Sequence, residues 1–443
     1  MPAPNVLFIV VDDLRPQLNC YGRANMVTPQ IDRLAQSGTL FERPYCQVPV
    51  CGATRASLLT GLRPARHRFI EFDTWADRDA PGTLTLPQHF REHGYITLSD
   101  GKVFHHWPDC AERSWSEPPW MPPPGPDHSW RNYLRDASRA RAAENNGAGP
   151  PYECADVPDN AYFDGQTTDR AVADLQRLAR MEQPFFLAVG LLKPHLPFNA
   201  PRRYWELYKH DEISLADNPF APEDAPPQAL HNFGELRAYF DVPREGPVPD
   251  EMARMLVHGY YAATSYTDAQ VGRLLDALEE LELHENTIVV LWGDHGWQLG
   301  EHSLWCKHCN FNTSLCAPLI VRAPDVKPGQ RAQGLVEFLD VYPTLADLCG
   351  LPIPGHCAGA SFVPLLSDPG RPGKPAVFSR YIKGDSVRTD RYLYTEWTED
   401  DGTVTGRMLY DHGTDPDENV SLAGNPEYAD TVKELSALLP RGE

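Results

Sequence analysis

Four apolar runs, each broken off by charged or imidazole-bearing residues, constrain this chain more than any other feature. Residues 5–11 end in Asp12-Asp13, and residues 95–99 run into Asp100-Gly101-Lys102 and then His105. Residues 184–190 lead to Lys193-Pro194-His195, and residues 287–292 to Gly293-Asp294-His295-Gly296. Short runs this uniformly apolar fit strands covered on both faces, the situation of a parallel sheet inside an α/β fold. Ligands bind beyond the carboxyl ends of such strands. Four strand ends that deliver carboxylates, lysines and histidines to one edge therefore predict a reactive site there.

Helical patterns lie between the runs. Thr28-Pro29 reads as an N-cap and first turn, Ile31, Leu34 and Ala35 as the buried face, and Gly38 as the stop. A further helix is predicted over residues 169–181. A long one is predicted over 249–283, with Leu274, Leu275, Leu278 and Leu281 on or near one face. This alternation predicts an α/β fold with helices on both faces of the sheet. Proline-rich stretches at 117–126, 217–228 and 242–250 read as long surface loops. After about Ser367 the pattern changes to four short strands, the Asp400-Asp401-Gly402 hairpin signal and a closing helix at 426–439. Residues 1–367 are thus expected to form the main domain and 368–443 a small antiparallel α+β subdomain.

The formal charge of −21 argues against nucleic acid or an anionic membrane surface as the main partner. No apolar stretch approaches the ~20 residues of a membrane span. A basic segment, a longer apolar core and a small-residue cleavage site are what an export signal requires, and none is seen, so a cytoplasmic protein is expected. The ten cysteines are then expected as reduced thiols rather than a disulfide framework.

One cysteine stands apart. Cys51 sits just before a predicted helix, with Arg55 four residues on. A helix N-terminus and a nearby cation both stabilise negative charge, which suits an activated nucleophile or a bound anion. Taken alone, a buried structural cysteine is the commoner reading. Asp12-Asp13 alone reads as a solvated turn, and Asp294-His295 ends a second strand in the same way.

With these residues in place, the sequence resembles the type I, formylglycine-dependent sulfatases of the alkaline phosphatase superfamily. Their signature is Cys-x-Pro/Ala-x-Arg followed by Leu-x-Thr-Gly, matched by Cys51, Ala53, Arg55, Leu58, Thr60 and Gly61. Most of the family has proline where Ala53 stands. Further landmarks follow in family order: Gly101-Lys102-Val103-Phe104-His105, Lys193-Pro194-His195-Leu196-Pro197, Asp294-His295-Gly296-Trp297, Gly300-Glu301-His302, and Leu409-Tyr410-Asp411 with Asp415-Pro416 and Glu418-Asn419. The Gly-Lys-Val-Phe-His and Asp-His-Gly-Trp blocks are most similar to those of the iduronate-2-sulfatases.

The resemblance implies an alkaline-phosphatase-like α/β/α sandwich, with 1–367 as the catalytic domain. It implies that a maturase converts Cys51 to formylglycine. Asp12, Asp13, Cys51, Asp294 and His295 would gather about a divalent cation, Ca²⁺ first and Mg²⁺ or Mn²⁺ as alternatives. Arg55, Lys102 and Lys307 would clamp the sulfate, His195 would act as acid to the leaving group, and His105 as the base that releases sulfate. The substrate would be a small sulfate monoester, a sulfated sugar or uronic acid. The rival within the superfamily is a phosphonate monoester or phosphodiester hydrolase, against which the second acid of Asp12-Asp13 speaks. The rival outside it is a catalytically silent binding protein, against which the intact set of reactive residues speaks.

Other features stay open. Cys306-Lys307-His308-Cys309 invites a zinc reading that lacks a second pair, since Cys316 alone does not complete it. Trp115, Trp120, Trp130, Trp297 and Trp305 are candidates to line a sugar pocket, about half of them expected to be packing. Lys193 reads as a pocket cation or a support for its own loop. The oligomeric state is not legible.

Overall fold

A computed structural model of the protein describes residues 3–440. The four apolar runs are strands, and they lie side by side. With β1 at Asn5–Val11, β2 at Thr39–Phe41, β3 at Ile96–Gly101, β4 at Phe185–Leu191, β5 at Thr287–Gly293, β6 at Leu319–Arg322 and β7 at Gln330–Ala332, the main sheet has the order β7-β2-β6-β5-β1-β4-β3. Only β6 runs against its neighbours β5 and β2; the remaining pairings are parallel.

Residues along β1 alternate between two apolar layers. Val6, Phe8 and Val10 join Ile288, Val290 and Trp292 on one face, against Leu58 and Leu59. Leu7, Ile9 and Val11 join Val289 and Leu291 on the other, against Leu34, Leu175, Leu274 and Leu278. The period of two along a strand is what lets one run fill two cores, and the result is the expected α/β/α sandwich. Among the described residues no helix is long and apolar enough to cross a membrane.

Among the helices are α1 (Pro29–Ser37), α2 (Cys51–Thr60), α3 (Phe163–Leu178), α4 (Asp250–Glu280) and α5 (Ala429–Leu438). Two differ from the sequence reading. α2 begins on Cys51 itself rather than after it. α3 begins six residues before the expected Asp169, because its first turn is held by distant partners: Asn132 Oδ1 accepts from the Phe163 N–H and the Tyr266 hydroxyl from that of Gly165. Such caps leave no local signature.

After residue 367 come β8 (Ala376–Tyr381), β9 (Gly384–Thr389), β10 (Tyr392–Thr398) and β11 (Val404–Asp411), an antiparallel sheet in sequence order. It does not stand apart. Val377 and Leu393 belong to the same apolar layer as Phe8 and Trp292, and the Ser379 hydroxyl donates to the Cys46 carbonyl. Tyr381, at the end of β8, lies 5.9 Å ring to ring from His308.

Candidate active site

The polar residues that end the strands meet at one edge of the sheet. Val11 pairs with Gly293 and Leu191, and the N–H groups of Asp12 and Asp294 continue that ladder onto Leu191 and Val11. Asp12, Asp13 and Asp294 therefore leave adjacent strands together, all fully buried. Gly190 lets the next strand end close in. A Cβ there would stand 2.1 Å from the Lys102 backbone, so only glycine allows β3 to deliver Lys102 to this edge.

Cys51 opens α2 at 3% exposure, and its sulfur belongs with Asp294 and His295 to a group whose ligand atoms lie within 4.8 Å of one another. Arg55, one turn on and wholly buried, donates through Nε to Asp294 (2.9 Å) and through Nη2 to Asp12 (3.1 Å). Its Nη1 reaches the carbonyls of Lys102 and Val103. The rest of the signature is structural. Leu58 is in the core, the Thr60 hydroxyl bonds the Ala56 carbonyl, and Gly61 ends the helix at φ 71°, a left-handed cap that favours glycine.

The other cations close on the carboxylates. Lys102 Nζ lies 2.5 Å from Asp12, while Lys307 Nζ lies 3.1 Å from Asp13, 2.8 Å from Glu235 and 4.8 Å over the Trp297 ring. Their charges divide the two adjacent aspartates. Burial works against the charge of Asp12, yet Lys102 and Arg55 hold its carboxyl well below the usual range. Burial pushes Asp13 up to about 8, because Asp12 and Glu235 offset what His195 and Lys307 give it.

The histidines sort by their partners. His295 Nδ1 faces the Gly296 carbonyl at 2.9 Å; a carbonyl only accepts, so Nδ1 carries the proton. Nε2 then lies among Asp13 (3.4 Å) and Asp294 (3.6 Å), buried and with no hydrogen-bond partner among the described residues, and against the effect of burial Asp294 raises the ring's pKa. A carboxylate-rich cluster with one bare imidazole nitrogen fits a divalent cation. His195 Nδ1 likewise donates to the Leu196 carbonyl (2.5 Å), leaving Nε2 3.2 Å from Glu235 and 3.8 Å from Asp13. His105 is driven down to about 3 by burial and by Lys102, so it is neutral near pH 7, with a buried Nδ1 that has no partner among the described residues.

All the predicted site residues thus converge on this edge. Glu235, on the short helical turn Gly234–Arg237, is an addition to them; a single acid between proline-rich loops carries no sequence signal. Several of the open readings close as packing. Trp115, Trp297 and Trp305 are buried, and the Trp120 backbone extends the β3 edge. Trp130 alone of the five is exposed, 5.3 Å from His195. Lys193 donates to the carbonyls of His195 and Pro197 and so supports its loop. Cys309 contacts Ser314 and Gln298, Cys316 packs in the core, and among the described residues no metal-capable group contains Cys306, Cys309 or Cys316.

Comparison with known proteins agrees with this geometry. Residues 4–351 match the family described as Sulfatase, and residues 300–442 match N-sulphoglucosamine sulphohydrolase, C-terminal. The chain is 35% identical over 474 residues to iduronate 2-sulfatase of Homo sapiens, covering 89% of this chain and 85% of that protein. Two solved structures share the fold at 22% identity. A structure holding its substrate D-glucosamine-2-N,6-O-disulfate gives a TM-score of 0.76, covering 98% of this chain and 96% of its own. A phosphonate monoester hydrolase from Silicibacter pomeroyi gives 0.78, covering 98% and 94%.

Proposed function

Because this chain belongs to the sulfatase family, and is in that sense a sulfate ester hydrolase, we propose that it cleaves a small sulfate monoester, a sulfated sugar or uronic acid, using Cys51 matured to formylglycine and one divalent cation, Ca²⁺ first. The observation that carries this reading is the group formed by Cys51, Asp294 and His295 beside the partnerless His295 Nε2. The cation would be held by Asp12, Asp13, Asp294 and His295, and when bound it polarises oxygens of the nucleophile and the sulfate. Hydrated formylglycine supplies two geminal hydroxyls, one to attack sulfur and the other to expel sulfate.

The remaining work falls to this chain's fixed charges. Arg55, Lys102 and Lys307 surround the position where charge builds on the sulfate oxygens, and they are oriented before substrate arrives. His195, with its Nδ1 proton pinned on Leu196, presents Nε2 to give a proton to the leaving oxygen. Neutral His105 accepts the proton of the second hydroxyl. The name of the 35% identical human relative supports a sulfated uronic acid or sugar as substrate. A formylglycine-generating maturase is the partner this chemistry requires.

Peptide mass spectrometry across residues 44–63 of active enzyme is expected to show formylglycine at Cys51. Cys51→Ala is expected to lose activity by on the order of 10⁴-fold or more, with an unchanged melting temperature because the side chain lies in a polar pocket. Full activity with an unmodified thiol would overturn the mechanism. A hundredfold preference for an aryl phosphonate monoester over every sulfate ester would overturn the substrate class.

A further inference from the structure

The alcohol half of the ester has to lie on the His195 side of the site, where Nε2 meets the leaving oxygen. Two side chains that the reaction does not use flank that nitrogen. Glu235 places Oε1 3.2 Å from His195 Nε2 and 2.8 Å from Lys307 Nζ, which fixes the carboxylate. Its other oxygen, Oε2, is buried without a hydrogen-bond partner among the described residues, with His308 Nδ1 4.0 Å away. Burial drives His308 down to about 3, so this neighbour is neutral, and the carboxylate's charge is met from the Oε1 side by Lys307.

Trp130 stands with its ring 5.3 Å from that of His195, nearly perpendicular at 80°. The Arg131 guanidinium lies 4.7 Å over the indole and 5.7 Å from the Tyr239 ring centre, and the Arg131 carbonyl is held by Asn199. The indole is therefore braced by its neighbour while 46% of the residue stays open. Single exposed aromatics are ordinary, and Phe72 and Trp107 are more open than this one; what sets Trp130 apart is its place beside His195.

We propose that Trp130 and Glu235 form the subsite for the alcohol, and that this alcohol is a pyranose ring: its C–H face lies on Trp130, and a hydroxyl beside the sulfated carbon donates to Glu235 Oε2. The indole matches the flat apolar face of a saturated ring, and the carboxylate gains the donor it lacks. This rests on the sulfatase reading and narrows it, setting pyranoside sulfates above acyclic sulfates and above aryl sulfates that offer no neighbouring hydroxyl.

The test compares kcat/KM of formylglycine-containing enzyme on a methyl pyranoside 2-sulfate, its 3-deoxy analogue and 4-nitrophenyl sulfate. Wild type is expected to prefer the parent glycoside to the deoxy analogue by tenfold or more. Glu235→Ala is expected to bring that ratio to near one, and Trp130→Ala to raise KM for both glycosides more than for the aryl sulfate. A merely structural role would lower all three substrates by the same factor, and that outcome overturns the proposal, as does equal turnover of parent and deoxy analogue by wild type. Turnover of the aryl sulfate alone overturns the subsite but not the sulfatase reading. Failure on all three sulfates overturns both.

Discussion

Two buried clusters of carboxylates in this protein have opposite characters. Where the C-terminal sheet meets the main body, Glu337 and Asp340 face Arg63 and Lys374. Arg63 grips Glu337 with two nitrogens at 2.6 and 2.8 Å, and Lys374 reaches Glu337 at 2.5 Å and Asp340 at 2.6 Å. Backbone N–H groups of Phe378, Ala360 and Glu337 itself take further lone pairs. Two acids meet two cations, and the polar groups are matched. At the sheet edge the acids Asp12, Asp13, Asp294 and Glu235 share the fixed cations Arg55, Lys102 and Lys307, and Asp13 is left under-compensated, its carboxyl pushed up to about 8 by burial. The His295 Nε2 there has no hydrogen-bond partner among the described residues. Buried charge alone therefore does not mark a functional site. An acid that the fixed cations leave under-compensated, beside an unclaimed ring nitrogen, does, because the surrounding fold holds both for something that binds.

That contrast is breakable by substitution. Asp294→Asn keeps the shape and an acceptor for Arg55 but removes one charge from the sheet-edge cluster. Elemental analysis is expected to fall from near one divalent ion per chain to near none, and activity to fall by more than the roughly 10–100-fold typical of an outer-shell change. Full activity in a metal-free protein would dissolve the distinction. Glu337→Ala is the matching change in the balanced cluster. It takes the shared carboxylate from Arg63 and leaves Lys374 on Asp340 alone, and is expected to cost about 3–5 kcal/mol of stability, read by denaturant unfolding. Metal content and kcat/KM of the folded fraction should stay at the wild-type level. A loss of metal there would show that the two clusters are coupled.

What the sequence made legible follows the same line. Strand runs and the residues that end them are local patterns, so the chain alone marks Asp12, Lys102, His195 and Asp294 as members of one edge. Their parallel order only has to put those ends together, and β5-β1-β4-β3 does. Glu235 is illegible because its meaning comes from Lys307 and His195, residues far from it in the chain. The start of α3 is illegible for the same reason, its caps being Asn132 and Tyr266. Trp130 is one of five tryptophans with equal claims in the sequence, and only burial separates it from Trp115, Trp297 and Trp305.

A third buried acid sharpens the comparison from the other side, with the smallest expected effect. Asp268, on α4, is 2% exposed and forms no salt bridge among the described residues. It caps α1 instead, accepting from the N–H of Gln30 at 3.0 Å and of Ile31 at 2.7 Å. Burial pushes its carboxyl up to about 7, with Asp32 adding to the rise and those two N–H groups and Arg33 working against it. An unfolded aspartate titrates near 3.9. Between about pH 4 and 7 the folded chain thus holds a proton that the unfolded chain has released, and the contribution of this group to stability falls as pH rises through that window. It is complete below pH 4 and lost above pH 7. Asp268→Asn keeps an acceptor for the cap and has no proton to lose. The variant is expected to gain on wild type by about 1–3 kcal/mol as pH is raised from 4 to 7, measured by denaturant unfolding at each pH. A constant difference across that range would mean that the helix N-terminus already holds Asp268 ionised, and that a cap can balance a buried charge without any cation.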